Sequence, residues 1–317
     1  MGTESDTTTP RPVGPPTETD ARMHRRMRIL GFLFMALFLV VPLTAGLVVY
    51  LYGPEVERDA YANLESIARM KVEQLENWLH ERDSDAEVLR EDHALAVTVD
   101  DWAHGRADVP EQVAVQARLA IQRRQYHLSS VMVLTPELRP LLSIGNETAV
   151  DTQTNLLAQG PDAFRVHRSP LYRMEDGRPG MQWLVPLVRR EGGVEKIAGF
   201  IVLRVNAHDF VYPLVQTWPT ASPSGETLLV RRVGDEVEFI NELRHRRGSA
   251  LKLSFGLNTT SLPAAEAVRS PVPGIIEGLD YRKVAVLAAY RPVRGTDWRV
   301  VTKIDHDEIL GPLYRLA

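Results

Sequence analysis

Hydrophobic and polar positions follow three different rhythms along this chain. From Ile29 to Tyr52 there is no alternation: ILGFLFMALFLVVPLTAGLVVYLY holds 24 positions without a charge. A helix of that length covers about 36 Å, enough to cross a bilayer with some tilt. Pro42 at its middle is tolerated in lipid, where neighbouring helices and water satisfy the carbonyl it frees. After Gly53-Pro54 the period becomes helical. Leu64, Ile67, Ala68, Leu75, Trp78, Leu79, Ala86 and Leu89 form one stripe, with Glu65, Arg69, Lys71, Glu73, Glu76, Glu81, Arg82 and Asp85 between them. The spacing predicts a long amphipathic stalk.

Beyond the stalk, residues 94–105 read as a short helix ending at Gly105. A second helix runs from Asp108, its cap, with Pro110 in the first turn, to about Tyr126. The period then drops to two. SSVMVL (129–134) and LLSIG (141–145) predict a hairpin, residues 151–164 a helix, and 164–173, 181–188 and 196–205 a three-strand meander with glycine-containing turns. Asn206 to Trp218 reads as a connecting helix that Pro219 ends. Strands follow at 225–232, 236–241, 274–280, 283–293 and 298–304, with a short helix over 262–269. The fold class is mixed α+β: two PAS-like antiparallel-sheet subdomains behind a long helix, alike in order but with no repeat at a fixed period.

Charge gives the chain a direction. Arg22, Arg25, Arg26 and Arg28 precede the apolar run, and Glu55, Glu57 and Asp59 follow it. Arginine-rich flanks stay in the cytoplasm, so the N-terminus is expected inside and the rest exported, with the span in the inner (plasma) membrane. The run is too long for the apolar region of a cleaved signal peptide, which spans about 7–15 residues. The expected organisation is a disordered tail over 1–28, a membrane helix over 29–52, and a stalk over 53–92. A membrane-distal subdomain over 93–218 and a membrane-proximal one over 219–304 follow, then an exit helix over 305–317 leading towards a second span.

Apolar content of 44% and charged content of 25% are those of a folding domain. The net charge of −4 leaves no basic footprint for nucleic acid. The absence of cysteine excludes disulfides, thiolate metal sites and cysteine nucleophiles. No phosphate loop, dinucleotide fingerprint, HExxH or GxSxG occurs, so neither an enzyme nor a cofactor is expected. Asp305 and Glu308 have the spacing of a capping box at the exit helix. The run Arg244-His245-Arg246-Arg247 reads as a solvated loop. Trp183 and Trp218 read as core. Asn146-Glu147-Thr148 and Asn258-Thr259-Thr260 fit the glycosylation triplet.

The stalk string LESIARMKVEQLENWLHERDSDAEVL resembles the entry helix of double Cache sensor domains. FVYPLVQTWPTASPSGETLLVRRVGDEVEFINELRHR and EGLDYRKVAVLAAYRPVRGTDWRVVTKIDHDEI resemble that family's membrane-proximal half. The resemblance covers roughly residues 55–315. It implies an extracytoplasmic input region for a histidine kinase, diguanylate cyclase or chemoreceptor, here a histidine kinase whose output domain lies outside this chain. A membrane-tethered binding or scaffold protein without an effector is the alternative. The aromatic-rich pattern of the family's amino-acid-binding branch is not recognisable, and Arg204 stands at the position of its late aspartate, counted from Gly199.

The expected partners are the membrane, a small-molecule ligand, and a second copy pairing through the apolar stripe of the stalk. The expected pocket lies in the distal subdomain, lined by Tyr126, His167, Tyr172, Trp183 and Arg204. Strand alternation turns Trp183 inward and carries Arg204 to the end of the row Phe200, Val202, Arg204. A buried arginine there requires either a protein carboxylate or an anionic ligand; the alternative is an arginine reaching solvent from the strand end.

Overall fold

The structure, a computed structural model, describes residues 18–145, 149–159 and 162–316. The first triplet, at 146–148, and most of the expected tail lie outside those residues. The chain divides into two compact units, residues 1–57 with 310–317, and Arg58–Ile309. One helix, α1 (Glu18–Arg90), begins inside the expected tail and takes in Gly53 and Pro54. In the first unit its apolar side chains, Phe32, Phe34, Phe38 and Leu43 among them, are exposed. Among the described residues no helix is long and apolar enough to cross a membrane. The side chains at 41, 42 and 45, within the apolar run, are not among those described.

The second unit holds two antiparallel six-stranded sheets. Its first module comprises α2 (His93–Ala103), α3 (Val109–Gln125), β1 (Ser130–Leu134), β2 (Pro140–Gly145), α4 (Thr152–Ala158), β3 (His167–Arg168), β4 (Tyr172–Arg173), β5 (Pro179–Glu191) and β6 (Val194–Asn206). Strand order is β2-β1-β6-β5-β3, with β4 also on β5. After α5 (Val211–Gln216) come β7 (Glu226–Val233), β8 (Glu236–Phe239), β9 (Leu253–Gly256), α6 (Pro263–Arg269), β10 (Gly274–Leu279), β11 (Ala285–Pro292) and β12 (Trp298–Asp305), then α7 (His306–Leu316). Their order is β10-β11-β12-β7-β8-β9. In both sheets the last strand lies between the first strand and the one before it, so the two modules share a topology.

The hairpin, the two long strands of the meander and the cap at Asp108 form as the sequence predicts. Asp108 accepts from Glu111 N at 2.9 Å, and the Glu111 carboxylate answers at Asp108 N, closing a capping box. The helix expected over 151–164 is shorter, ending at Ala158 ahead of the helix-stopping Gly160-Pro161 pair. The strand expected over 164–173 is two fragments, because Pro170 between them has no N–H for the ladder. The strand β9 was not legible.

Each sheet is covered on both faces. Against one face of the first sheet, Leu75, Trp78, Leu79, Ala86 and Leu89 of α1 pack with Val131, Trp183, Val185, Ile201 and Leu203. Further along α1, Ala60 and Leu64 meet Leu287 and Ala289 of the second sheet. The stalk's apolar stripe is therefore used within the chain: Leu64, Ile67, Leu75 and Leu79 are all buried. That removes the physical ground for pairing two copies through it, since a fully buried Leu already gains about 1.5–3 kcal/mol. Lys71, expected on the wet face, is buried and donates to Leu214 O at 2.6 Å, where it caps the last turn of α5.

The opposite faces carry the short helices. Leu157 and Ala158 of α4 sit on Met132, Leu134, Leu184, Phe200 and Val202. The alanines of α6 sit on Leu228, Val230, Ala288 and Val301. The capping box expected at Asp305 and Glu308 is replaced by longer-range contacts. Asp305 meets Arg282, its N–H donates to Ser224 Oγ, and Glu308 accepts from Ser222 and from Ser224. The basic loop at 244–247 is exposed, as its composition implies. Trp183 is core and Trp218 is half-buried.

Candidate functional site

Under α4 the apolar face of the first sheet gives way to polar side chains where β1 begins. Register places Ser130, Arg204 and Gln182 in one cross-strand row. Arg204 is 3% exposed. Its Nε donates to Gln182 Oε1 at 3.0 Å, and a terminal nitrogen donates to Ala149 O at 3.1 Å and lies 3.4 Å from Asp151 Oδ2. Asp151 is the N-cap of α4, its Oδ1 accepting from Thr154 N at 2.8 Å and the Thr154 hydroxyl at 2.7 Å. Tyr172 donates its hydroxyl to Asp151 Oδ2 at 2.6 Å. Gln182 Nε2 reaches Thr154 Oγ1 at 3.1 Å, which closes the network. Burial pushes the Asp151 carboxyl up. The hydrogen bonds from Tyr172 and Thr154 and the charge of Arg204 outweigh it, so Asp151 titrates below the usual carboxylate range.

The second module has a counterpart. Lys303 lies in the row Glu226, Lys303, Ala288, where Glu226 begins β7 as Ser130 begins β1. Arg204 and Lys303 thus occupy equivalent places in the two sheets. The Lys303 ammonium is fully buried, 3.0 Å from Glu226 Oε2 and 2.8 Å from Asp280 Oδ2. It meets them by charge more than by aligned hydrogen bonds. Tyr281 donates to Glu226 Oε2 at 2.9 Å, and Arg282 joins Asp280 at 2.7 Å. Burial raises the Asp280 pKa, and Lys303 and Arg282 lower it further than that, leaving it below the ordinary value. Burial and the Glu226 charge push the Tyr281 phenol up.

The two clusters differ in what must move to open them. Lys303 is held by two carboxylates, one on a sheet strand and one just beyond β10. Arg204 is held by a single carboxylate, at the tip of a seven-residue helix.

The expected pocket residues therefore divide. Tyr172 and Arg204 come together through Asp151 and Gln182. Trp183 is turned inward but to the opposite face, where its Nε1 donates to Asp83 Oδ1 at 2.7 Å and its ring meets Trp78 edge-on at 6.1 Å. Adjacent residues of a strand point to opposite sides, so Trp183 cannot share a pocket with Gln182 and Arg204. Tyr126 lies at the end of α3 under the Arg82 guanidinium, 5.2 Å from its ring centre. His167 pairs with Leu184 at the sheet edge and is 2.7 Å from Asp162 O. Asp151, Thr154 and Gln182 were missed. Gln182 had a signal: it is the one polar residue in MQWLVPLV. Of the two answers expected for a buried arginine, the protein carboxylate is present.

A separate groove of about 590 Å³ lies along α1 and α5, lined by Trp78, Glu81, Asp209, Phe210 and Leu214 among others. Phe210 stacks on Trp78 at 5.1 Å. Among the described residues no group of metal ligands is gathered.

No family model matches the chain, and no curated protein matches its sequence. Solved structures do. The ligand-binding domain of the Campylobacter jejuni chemoreceptor Tlp3, in complex with 4-methylisoleucine, is 12% identical at a TM-score of 0.56, over 80% of this chain and 94% of its own. An extracellular domain described as that of a histidine kinase, soHK1S-Z6, is 13% identical at 0.56, over 81% and 98%. The ligand-binding domain of the Pseudomonas fluorescens chemoreceptor CtaA, in complex with L-serine, is 12% identical at 0.51, over 79% and 99%. The chain has the fold of the ligand-binding sensor domains of chemoreceptors and histidine kinases, the double Cache architecture its sequence resembles.

Proposed function

We propose that this chain is the extracytoplasmic ligand-sensing region of a membrane signal-transduction receptor, of the histidine kinase kind, with no catalysis of its own. The observation that carries the reading is the Arg204–Asp151 pair beneath α4. Its carboxylate is also a helix cap, so occupancy of Arg204 and the position of α4 are linked. The proposed ligand is a small carboxylate-bearing molecule that takes the guanidinium over from Asp151. Arg204 offers it a planar two-donor fork, and a ligand that also displaces the Asp151 carboxylate from the N-terminus of α4 costs that helix its cap, an effect of about 1 kcal/mol. A ligand shifts the receptor only by its differential affinity for the two positions of α4. The second module, whose cation is already held by two carboxylates, serves transmission in this reading. The Tlp3 and CtaA domains are seen in complex with 4-methylisoleucine and with L-serine, small carboxylate-bearing molecules of the proposed size.

The test is a melting series on the full chain in detergent with small mono- and dicarboxylates. A true ligand at a hundredfold excess over its Kd adds about 2.7 kcal/mol, a Tm rise of about 5–10 °C. Arg204→Lys, which keeps the charge and loses the fork, is expected to remove most of that rise. A set in which no carboxylate moves Tm overturns the proposed ligand class.

The membrane tether is part of the same proposal, supported by the uncharged run over 29–52 and its arginine flank. Reporter fusions at Gly53 and at Ala317 are expected to be active only outside the cytoplasm, and a cytoplasmic signal at either overturns the orientation. Any pairing of two receptor copies along the stalk part of α1, from Arg58 to Arg90, has to use its outer, polar face, where Asn63, Ser66, Gln74 and Asn77 are exposed.

A further inference from the structure

We infer that the segment 167–173 is a strap that ties the Arg204 site to the second module, with Arg168, Ser169 and Arg173 as its positioning residues. The inference rests on the reading of that site as the ligand site. Five of its seven residues make the contacts, in two directions. Towards the site, Tyr172 holds Asp151, and Ser169 exchanges two bonds with the Gln182 backbone: its N–H donates to Gln182 O at 2.8 Å and its Oγ accepts from Gln182 N at 2.9 Å. Towards the second module, Arg168 donates to Gly295 O at 2.6 Å, in the turn between β11 and β12. Arg173 donates to Ala250 O at 2.6 Å, ahead of β9. Leu171 O accepts from Arg231 of β7 at 2.7 Å. The other branch of Arg168 reaches Asp83 Oδ2 on α1 at 2.8 Å, and Asp83 also holds Trp183.

The strap is also the most weakly laddered part of the first sheet. Each of β3 and β4 pairs with β5 over two residues, whereas β5 pairs with β6 from Gly180 to Glu191. Pro170 between them adds no N–H. Segments with few ladder bonds open at lower free energy than the sheet they border. A change at Asp151 therefore moves Tyr172 and the strap before it moves β5. Arg168 and Arg173 then carry that movement to the β11–β12 turn and the Ala250 loop. From the turn, β12 leads directly into α7.

The test needs no ligand, so its failure is separate from a failure of the carboxylate series. Amide hydrogen exchange is followed on the full chain in detergent at Val293, which donates to Trp298 O across the turn, and Leu251, which donates to Phe239 O. Tyr172→Phe removes the hydroxyl from Asp151 and is expected to speed exchange at both amides about tenfold, the size of one lost hydrogen bond. In an Arg168→Ala background, where the turn is already released, it should add nothing at Val293. Faster exchange confined to the first module, with Val293 and Leu251 unchanged, overturns the strap, as does full additivity of the two substitutions. Should Val301 in mid-sheet also exchange faster in Tyr172→Phe, the reading is taken from Ser169→Ala, which removes one of the strap's two bonds to the Gln182 backbone without touching Asp151; unchanged Val293 there overturns it equally.

Discussion

Lys303→Met is expected to lower the unfolding free energy by about 3–5 kcal/mol, because it leaves Glu226 and Asp280 buried without their shared cation. Methionine has nearly the shape of the lysine stem, so packing changes little and the loss reports charge. The carboxylates can escape only by taking up protons or by water entering beneath α6, and both loosen the second sheet. Urea unfolding followed by near-UV circular dichroism measures the change. Replacing all three groups together, as Lys303→Met, Glu226→Gln and Asp280→Asn, should recover a large part of the loss, since an apolar or neutral set of similar volume replaces a buried ion network at little cost. A loss below about 1 kcal/mol in the single variant would show that the cluster is hydrated in solution.

Arg204→Ala should cost about as much, roughly 3–5 kcal/mol, for the same reason at the equivalent place in the first sheet. It removes the counter-charge of Asp151, takes one of two donors from Gln182 Oε1, where the Tyr172 hydroxyl remains, and removes the Arg204 donor from Ala149 O. Asp151→Ala in the same chain should offset part of this, with a coupling of about 0.5–3 kcal/mol in a double-mutant cycle; strict additivity would contradict the contact. The acid limb of stability has a determined sign. Asp151 and Asp280 both titrate lower in the folded chain than in the unfolded one. The stability they contribute is complete above the unfolded carboxylate pKa of about 4 and is lost as pH falls through their lower folded values. Tm should accordingly fall steeply below about pH 4, and less steeply in Asp151→Asn and Asp280→Asn variants. Equal acid slopes in all three proteins would remove these two residues from the explanation.

The periodicities were legible because backbone geometry alone produces them. A stripe at helical spacing marked the buried face of α1 from Leu64 to Leu89, and apolar runs bounded by turn residues marked the hairpin and the two long strands of the meander. The cap at Asp108 needed only four consecutive positions. The Arg204 position at the end of an apolar row could likewise be read along one strand, together with its need for a counter-charge.

What covers each face belongs to the tertiary structure. Both faces of each sheet are packed, so alternation separates Trp183 from Gln182 without saying which of them faces the site. Asp151 reads locally as a helix start; that its carboxylate also meets Arg204 follows from how α4 lies on the sheet. Lys71 reads as a solvated charge until α5 places a carbonyl over it. The likeness of Arg204 and Lys303 appears only when strands are ordered in space, because cross-strand register joins residues far apart in sequence. Local pattern determined the elements of this protein, and long-range register and the two short covering helices decided which of its charges meet.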